Sequence, residues 1–235
     1  CIDALEMIIN ANPNEPWLKD CLLDAKSKGN IDRCIEINDL KRLYNADPSK
    51  VRLINSAKDL SDIVIFALKK YQAILQGDNS RVVDLWHTNG QIIPKKEEDI
   101  SDHITSFLKL ILQNGIIINR EVVIERKKYK DGDPGFRTDI WVQTINKKTD
   151  ETITLCIEVK GNWNYTAKKS MNNQLIGKYM AGGTAKAGIL LLAWFDCKDW
   201  DKEDKSKNKT VWPDISTAEA ELEKQAIEAN IQYED

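Results

Sequence analysis

The sequence predicts an α/β fold, in which a small β-sheet is packed against helices. Short apolar runs rich in β-branched residues alternate with segments whose apolar residues recur every three or four positions. A polar, turn-forming stretch separates two of the strand-like runs, as expected for a β-hairpin. The predicted order is helix, three-strand meander, helix, strand, which is the pattern of an α/β core.

Residues 1–85 are predicted to form a helical N-terminal segment. Its strongest helix begins after Ser56, a favourable N-cap residue, and carries its apolar residues on one face from Leu60 onward. Gly77 is expected to end this helix. A shorter amphipathic stretch lies at Trp17–Leu23. The segment carries no catalytic pattern, so we interpret it as an adaptor that packs on the rest of the chain.

The core is predicted over residues 86–215, followed by a C-terminal segment at 216–235. The core begins with a loop and then a helix whose first turn is acidic. The last core strand is a continuous apolar run, which is typical of burial on both faces of a sheet. The predicted elements are a loop at 86–94, helix 97–113, strand 116–125, the hairpin strands around 137–142 and 155–160, helix 165–180, strand 187–195 and helix 216–230.

Two carboxylates and one amine lie on the hairpin strands. The first strand, Arg137–Val142, carries Asp139. The second strand, Leu155–Lys160, carries Glu158 and Lys160. Strand side chains alternate between faces, so Glu158 and Lys160 share one face. Because hairpin strands are neighbours, Asp139 can meet Glu158 across the ladder. We therefore predict that the three groups meet at one end of the sheet.

The acid-x-lysine pattern also has an ordinary interpretation, since charged residues are mostly exposed as solvated pairs. The pattern occurs four more times in this chain, at 24–26, 125–127, 196–198 and 203–205. The strand context separates the copy at Glu158 from the others. A functional site is therefore predicted there and not at the other four.

Several segments besides the acid-x-lysine tripeptide at residues 158–160 belong to a longer sequence pattern. These are Asn119–Val122, Arg137–Asp139, Ile157–Trp163, Gln174–Met180 and Gly188–Phe195. With the predicted element order, they resemble the PD-(D/E)xK nuclease superfamily and its restriction-endonuclease-like core. The resemblance covers about residues 55–215, although Thr138 occupies the place of the superfamily's proline. It is closest to a branch found as C-terminal nuclease domains of large bacterial NTPase or helical-repeat proteins of anti-phage defence.

The resemblance implies an Mg²⁺-dependent endonuclease that hydrolyses DNA, with Mn²⁺ as a substitute metal. Asp139 and Glu158, with the backbone carbonyl of Val159, would hold the metal through hard oxygen ligands. Lys160 would orient or deprotonate the attacking water and stabilise negative charge. Gln174 would steady the lysine or contact the DNA backbone; its ordinary alternative is an exposed helix glutamine.

Further charged residues are candidates for supporting roles. The resemblance implies that another acid completes the site, from the opening helix or the first strand, and the candidates are Glu97, Glu98, Asp99, Asp102 and Glu121. Candidates for DNA-phosphate contacts are Lys127, Lys128, Lys130 and Lys178. A solvated lysine is the ordinary alternative for each of these four.

Composition excludes several function classes. The net charge is −3, so nucleic-acid binding would depend on local basic patches. Two histidines and the lack of any CxxC pair argue against a zinc or histidine-based hydrolase. The sequence has neither a P-loop motif nor a G-x-S-x-G motif, which disfavours an NTPase and a serine hydrolase.

Cellular context is predicted from cysteine usage and chain ends. Five cysteines without paired spacing favour a reducing, cytoplasmic setting, and no apolar run is long enough to span a membrane. The chain begins with Cys1 and not Met, so we expect a piece of a longer polypeptide or a trimmed chain. The resemblance implies NTPase or helical-repeat domains upstream. The alternatives to a nuclease are a catalytically silent nuclease-like fold for nucleic-acid binding or assembly, and a helical interaction module built on residues 1–85.

Overall fold

The computed structural model describes residues 2–11, 18, 54–77, 81–88, 90–112, 115–125, 136–146 and 148–233. The chain divides into two compact units, Cys1–Val51 and Arg52–Asp235. In the first unit, helix α1 spans Ile2–Ala11. Of the amphipathic stretch predicted at 17–23, only Leu18 lies within the described residues.

The second unit contains the sheet and its helices. In chain order its main elements are α2 (Ala57–Gln76), β1 (Trp86–His87), β2 (Ile93–Pro94), α3 (Glu97–Ile111), β3 (Ile117–Glu125), β4 (Phe136–Ile145), β5 (Thr152–Gly161), α4 (Ala167–Ser170, continuing as a π-helix over Met171–Met180), β6 (Ala187–Ala193) and α5 (Ile215–Tyr233). The predicted α/β class is confirmed. The unit begins before the boundary that the sequence suggested near residue 85, and it includes α2.

The main sheet has the strand order β3-β4-β5-β6. The first three strands pair antiparallel as a meander, and β6 returns parallel to β5 after α4. The sheet is therefore mixed, with β5 in an inner position. This order places the hairpin strands β4 and β5 side by side, as the sequence predicted.

The turn between β4 and β5 is organised by Asn146. Its backbone N–H donates to the carbonyl of Glu151 (2.9 Å), and its side-chain oxygen accepts from the N–H of Lys148 (2.9 Å). Its side-chain amide donates to the carbonyl of Asn55 (3.0 Å), just before α2. Asp150 adopts a left-handed backbone conformation (φ 55°), as residues in tight turns do. The hairpin is thereby fixed both locally and to the helical layer.

Helix α2 begins as predicted, because the Ser56 side chain accepts a hydrogen bond from the N–H of Asp59 (3.1 Å). Its buried face, which includes Leu60 and Val64, packs with α3 on one side of the sheet. Gly77 ends the helix in an extended conformation. The apolar stripe read from the sequence is only partly buried, since Leu60 and Ala67 are buried whereas Phe66 and Ile74 are exposed.

The two faces of the sheet have different coverings. One face carries Ile140 and Ile157 and is covered by α2 and α3. The opposite face carries Trp141 and Cys156, on which α4 packs with residues such as Leu175. Side-chain alternation puts Asp139, Glu158 and Lys160 on the α4 face. Burial raises the pKa of the Cys156 thiol to about 12.

Two expectations about local structure were wrong. The last core strand, β6, is half-buried along its whole length, whereas burial on both faces was expected. It forms an edge of the sheet, and the strand buried throughout from Ile153 to Gly161 is β5, which lies between β4 and β6. The segment expected to be a loop at 86–94 contains the short antiparallel pair β1 and β2.

No helix in the described part of the chain is long and apolar enough to cross a membrane.

Candidate active site

Asp139 lies where strands β4 and β5 stop pairing. Their antiparallel register runs from Ile145 opposite Thr152 to Ile140 opposite Ile157. At the next position the Asp139 carboxylate accepts a hydrogen bond from the backbone N–H of Val159 over 2.7 Å. The Asp139 carboxylate therefore takes the place of a backbone acceptor in the pairing of β4 with β5. It points at strand β5, as predicted from the hairpin.

Glu158 and Lys160 form a buried ion pair on the same face of β5. Lys160 Nζ lies 2.6 Å from Glu158 Oε1, and the two side chains are 9% and 2% exposed. The second oxygen, Glu158 Oε2, is buried without a hydrogen-bond partner among the described residues. Such an oxygen is costly to bury unless something else binds it, because it has lost its hydration. Glu158 thus has one oxygen paired with the lysine and one without a hydrogen-bond partner among the described residues.

Burial and the neighbouring charges shift the pKa values of Asp139 and Lys160. Burial, and next the nearby Glu158, raise the pKa of Asp139 to about 6, although its bond from Val159 acts in the opposite direction. For Lys160, burial is the largest influence and lowers the pKa, but Glu158, Glu97 and Asp139 together outweigh it and raise the pKa. The lysine is therefore charged at neutral pH, within a group of carboxylates.

Glu97 is the opening-helix acid that reaches these residues. As the first residue of α3, it accepts from the N–H of Gly161 (2.7 Å) and from the side-chain amide of Asn164 (2.9 and 3.1 Å). Its Oε2 lies 3.7 Å from Lys160 Nζ. The sequence left four acids of α3 open, and the structure brings Glu97 to the lysine. Asn164, which sequence analysis missed, holds it there.

The other acids of α3 are directed elsewhere. Asp102 pairs with Arg120 (2.7 Å), while Glu98 is exposed and contributes its backbone carbonyl to the same arginine (3.1 Å). Asp99 is half-buried in the first turn of α3. Glu121, on β3, lies near two arginines, Arg120 (3.8 Å) and Arg137 (3.5 Å). These acids therefore have other partners or positions than Glu97.

Arg120 is a second residue that sequence analysis did not single out. Its guanidinium donates to the backbone carbonyl of Asp139 (2.6 Å), in addition to its contacts with α3. Only 16% of the side chain is exposed. An arginine inside a run of β-branched residues was the available sequence signal, since a buried arginine requires partners. Arg120 therefore connects the start of α3 with Asp139 on β4.

Helix α4 contributes two polar side chains to this face. Gln174, a predicted site residue, has its side-chain oxygen buried without a partner among the described residues. The hydroxyl of Tyr179 donates to the carbonyl of Arg137 (2.7 Å), two residues before Asp139. Burial, and next Glu158, raise the pKa of Tyr179. The tyrosine is therefore close to the acids and neutral at physiological pH.

The predicted DNA-contacting lysines are mostly outside the described residues. Lys127, Lys128 and Lys130 belong to the segment 126–135, which lies outside them. Lys178 is half-buried on α4. Their contacts with DNA stay predictions.

The donor set can be tested against Mg²⁺, the metal that the sequence resemblance implies. Among the described residues there is no group of three or more His, Cys, Asp or Glu side chains arranged to hold a metal. Mg²⁺ does not require one, because it is usually bound by one or two carboxylates and keeps several waters. Asp139 and Glu158 provide two carboxylates, and Glu158 Oε2 has no hydrogen-bond partner in the part of the chain that the structure describes. The residues fit an Mg²⁺ ion that is partly hydrated, and they do not fit a closed structural site.

Comparison of the chain with protein-family models, with curated proteins and with solved structures finds no match. The case for a function therefore depends on the geometry of the site and on the sequence pattern. The nuclease resemblance stays a prediction.

Proposed function

We propose that this chain is an Mg²⁺-dependent endonuclease domain that hydrolyses phosphodiester bonds in DNA. The observation that carries the proposal is the buried Glu158–Lys160 pair beside Asp139, on one face of the sheet where β4 and β5 separate. A buried ion pair with one free carboxylate oxygen contributes little to stability for its desolvation cost. Such a cluster is more easily explained by chemistry, where perturbed acids and amines concentrate.

Each residue has a role that its environment suits. Asp139 and Glu158 would hold the metal, with the carbonyl of Val159 as a further oxygen ligand. When bound, Mg²⁺ would neutralise charge on the scissile phosphate and acidify a bound water. The charged Lys160 would orient the attacking water and stabilise the negative charge that develops on the phosphate. Glu97, 3.7 Å from Lys160 Nζ, would hold Lys160 in place as a positioning residue.

Tyr179 and Gln174 support the same face of the site. The Tyr179 hydroxyl fixes the β4 backbone near Asp139, and Gln174 on α4 has a buried side-chain oxygen. The chain's own residues thus offer a candidate for each role expected from a restriction-endonuclease-like core. We extend the proposal to the parent protein, in which the chain would serve as the effector of a bacterial anti-phage defence system with NTPase or helical-repeat domains upstream.

A catalytically silent, nucleic-acid-binding fold is the second candidate. It is favoured by the hydrogen bonds that already engage Asp139 and one oxygen of Glu158, and by the lack of three converging ligand residues in the described part of the chain. The intact set of acid, acid and lysine argues against it. The two candidates differ in whether the chain cleaves DNA.

The direct test incubates the purified chain with supercoiled plasmid in Mg²⁺ or in EDTA. The test variant is Glu158→Ala with Lys160→Ala, because removing both partners avoids leaving one buried charge unpaired. The matched control is Glu203→Ala with Lys205→Ala, which has the same acid-x-lysine spacing at exposed positions. Circular dichroism would establish that both variants are folded.

We expect nicking or linearisation only in Mg²⁺, with loss of cleavage in the test variant and retention in the control. Cleavage that persists in EDTA or in the test variant would place the chemistry elsewhere. If the folded chain binds Mg²⁺ at Asp139 and Glu158 but leaves the plasmid intact, the isolated chain is inactive and the silent fold becomes the better description.

A further inference from the structure

A shallow cavity of about 320 Å³, open to solvent, adjoins the candidate active site on the side of Glu97. Its lining includes Glu97, Glu98, Tyr165 and Lys209. Glu97 is shared between the two places, since it lines the cavity and also lies 3.7 Å from Lys160. A molecule in this cavity is therefore next to the group that the proposed function assigns to phosphodiester cleavage.

The turn that follows β5 forms one wall of the cavity and is held rigidly. The N–H of Asn164 donates to the carbonyl of Gly161 (2.9 Å), and its side-chain oxygen accepts from the N–H (2.9 Å) and hydroxyl (2.7 Å) of Thr166. The Trp163 ring lies against the backbone of Gly161, where an added Cβ would be 2.5 Å from it. This turn therefore presents the residues between its anchors in a fixed orientation.

Two neighbouring aromatic residues in this turn have opposite surroundings. Trp163 packs edge-on against Phe195 (centroids 5.1 Å apart) and Trp200 (6.2 Å), so its ring belongs to an aromatic cluster of the fold. Tyr165, two residues on, is 82% exposed. A large aromatic ring in solvent on a fixed turn is costly to hydrate, and it provides a flat surface for stacking.

The polar groups of the cavity match the parts of a nucleotide. Lys96 and Lys209 provide ammonium groups for phosphate oxygens. Glu98 is exposed, and a carboxylate can accept hydrogen bonds from the exocyclic amino groups of a base. The Glu97 carboxylate is already bound to Gly161 and Asn164, so its repulsion of a phosphate is partly offset. The aromatic ring, the amines and the carboxylate together suit one nucleotide.

We propose that the cavity binds an unpaired nucleotide of the substrate strand, with its base stacked on Tyr165 and its phosphate near Lys209. This inference rests on the proposed function, and it specifies the substrate. A base that stacks on a side chain must leave its neighbours in the duplex, which costs a few kcal/mol in paired DNA and much less in single strands. The preferred substrate is therefore DNA with unpaired nucleotides beside the cleaved bond.

The test measures binding without cleavage, by fluorescence anisotropy of labelled oligonucleotides in EDTA. A short single strand is compared with a blunt duplex of the same sequence, with the full chain and with four variants. Tyr165→Ala removes the ring, and Tyr165→Phe keeps it. Lys209→Ala removes a lining lysine, and Lys205→Ala, an exposed lysine four residues earlier, is its control.

We expect the chain to bind the single strand more tightly than the duplex. Tyr165→Ala should weaken single-strand binding by about tenfold, as the loss of one stacked base does, while Tyr165→Phe retains it. Lys209→Ala should weaken binding and reduce its salt dependence, whereas Lys205→Ala should not. Because Tyr165 is exposed, its substitution leaves the fold intact.

Equal binding of single strand and duplex, or unchanged binding by Tyr165→Ala, would overturn this inference even if the plasmid is cleaved. If binding depends on Tyr165 while no variant or condition yields cleavage, the nucleotide site stands and the proposed nuclease activity falls. The two proposals can therefore fail separately.

Discussion

The guanidinium of Arg120 donates a hydrogen bond to the backbone carbonyl of Asp139 over 2.6 Å. The same side chain pairs with Asp102 (2.7 Å) and donates to the carbonyl of Glu98 (3.1 Å), both on α3. One side chain thus connects the strand that carries the acid with the helix that carries Glu97. The positions of these two carboxylates relative to each other depend on this arginine.

Replacement of Arg120 by alanine should therefore affect both stability and cleavage. We expect a loss of about 2–3 kcal/mol in the free energy of unfolding, since a mostly buried guanidinium with charge-assisted bonds is removed. Plasmid cleavage should fall by about tenfold or more, because Asp139 and Glu97 lose their common support. Urea unfolding followed by circular dichroism and the plasmid assay measure the two effects.

The control for this variant is Arg137→Ala. Arg137 is 47% exposed and pairs with Glu121 at 3.5 Å, so its loss should cost less than about 1 kcal/mol. If Arg120→Ala behaves like Arg137→Ala in both assays, Arg120 has no positioning role.

The pH dependence of stability should reveal the burial of Asp139. Its pKa is about 6 in the folded chain against an ordinary 3.8, so the folded state binds the proton more tightly than the unfolded state does. Its contribution to stability is complete below about pH 4 and is lost as the pH rises through 6. The pKa difference corresponds to at most about 3 kcal/mol, and partial solvent access reduces this figure.

Urea unfolding in EDTA at pH values between about 4 and 7 measures this contribution. Other groups titrate in the same range, so the useful quantity is the difference between the unsubstituted chain and Asp139→Asn. The asparagine oxygen can still accept from the N–H of Val159 but does not titrate. We expect the variant to lose less stability across the range; parallel profiles would show that Asp139 titrates normally.

The role of Glu97 can be separated from that of the other acids in its turn. Glu97→Gln replaces the carboxylate by an amide next to Lys160 and Asn164. Both of these side chains are hydrogen-bond donors that need an acceptor, and the amide NH₂ group is itself a donor. We expect a loss of about 1–3 kcal/mol in the free energy of unfolding and reduced cleavage. Glu98→Gln, at an exposed position, should be close to neutral in the free energy of unfolding. Equal losses of stability in the two variants would contradict the assignment of Glu97 to the site.

The hairpin and its charged residues could be predicted because their signals are local. Alternation with a period of two puts Glu158 and Lys160 on one face, and the turn at Asn146 brings β4 beside β5. Assigning these two side chains to one face required no knowledge of contacts between distant parts of the chain. Asp139 could thus be placed next to β5 from its position in the strand alone.

The choice of Glu97 among the acids of α3 could not be predicted, because it depends on contacts between distant parts of the chain. Asn164 holds it from 67 residues away. The half-burial of β6 is a similar case. Its apolar sequence allows two buried faces, but the strand order puts it at an edge. Tyr165 gave no signal either, because the 82% exposure of its side chain depends on how the turn after β5 folds.

A final prediction concerns Gly161, the last residue of β5. A Cβ at this position would lie 2.5–2.7 Å from three atoms of the Trp163 ring, so Gly161→Ala requires the ring or the backbone to move. Overpacking of this kind costs about 1–3 kcal/mol. The N–H of Gly161 binds Glu97, so the shift should also reduce plasmid cleavage and single-strand binding.

Gly182→Ala is the matched control, because the nearest atom to an added Cβ there is the Thr184 hydroxyl at 3.8 Å, an ordinary contact. Thermal unfolding of both variants, followed by circular dichroism, gives the comparison. We expect the midpoint to fall in Gly161→Ala by several degrees and to change little in Gly182→Ala. A Gly161→Ala variant as stable and active as the unsubstituted chain would mean that the turn holding Trp163 and Asn164 adapts easily, and the rigid presentation of Tyr165 would lose its basis.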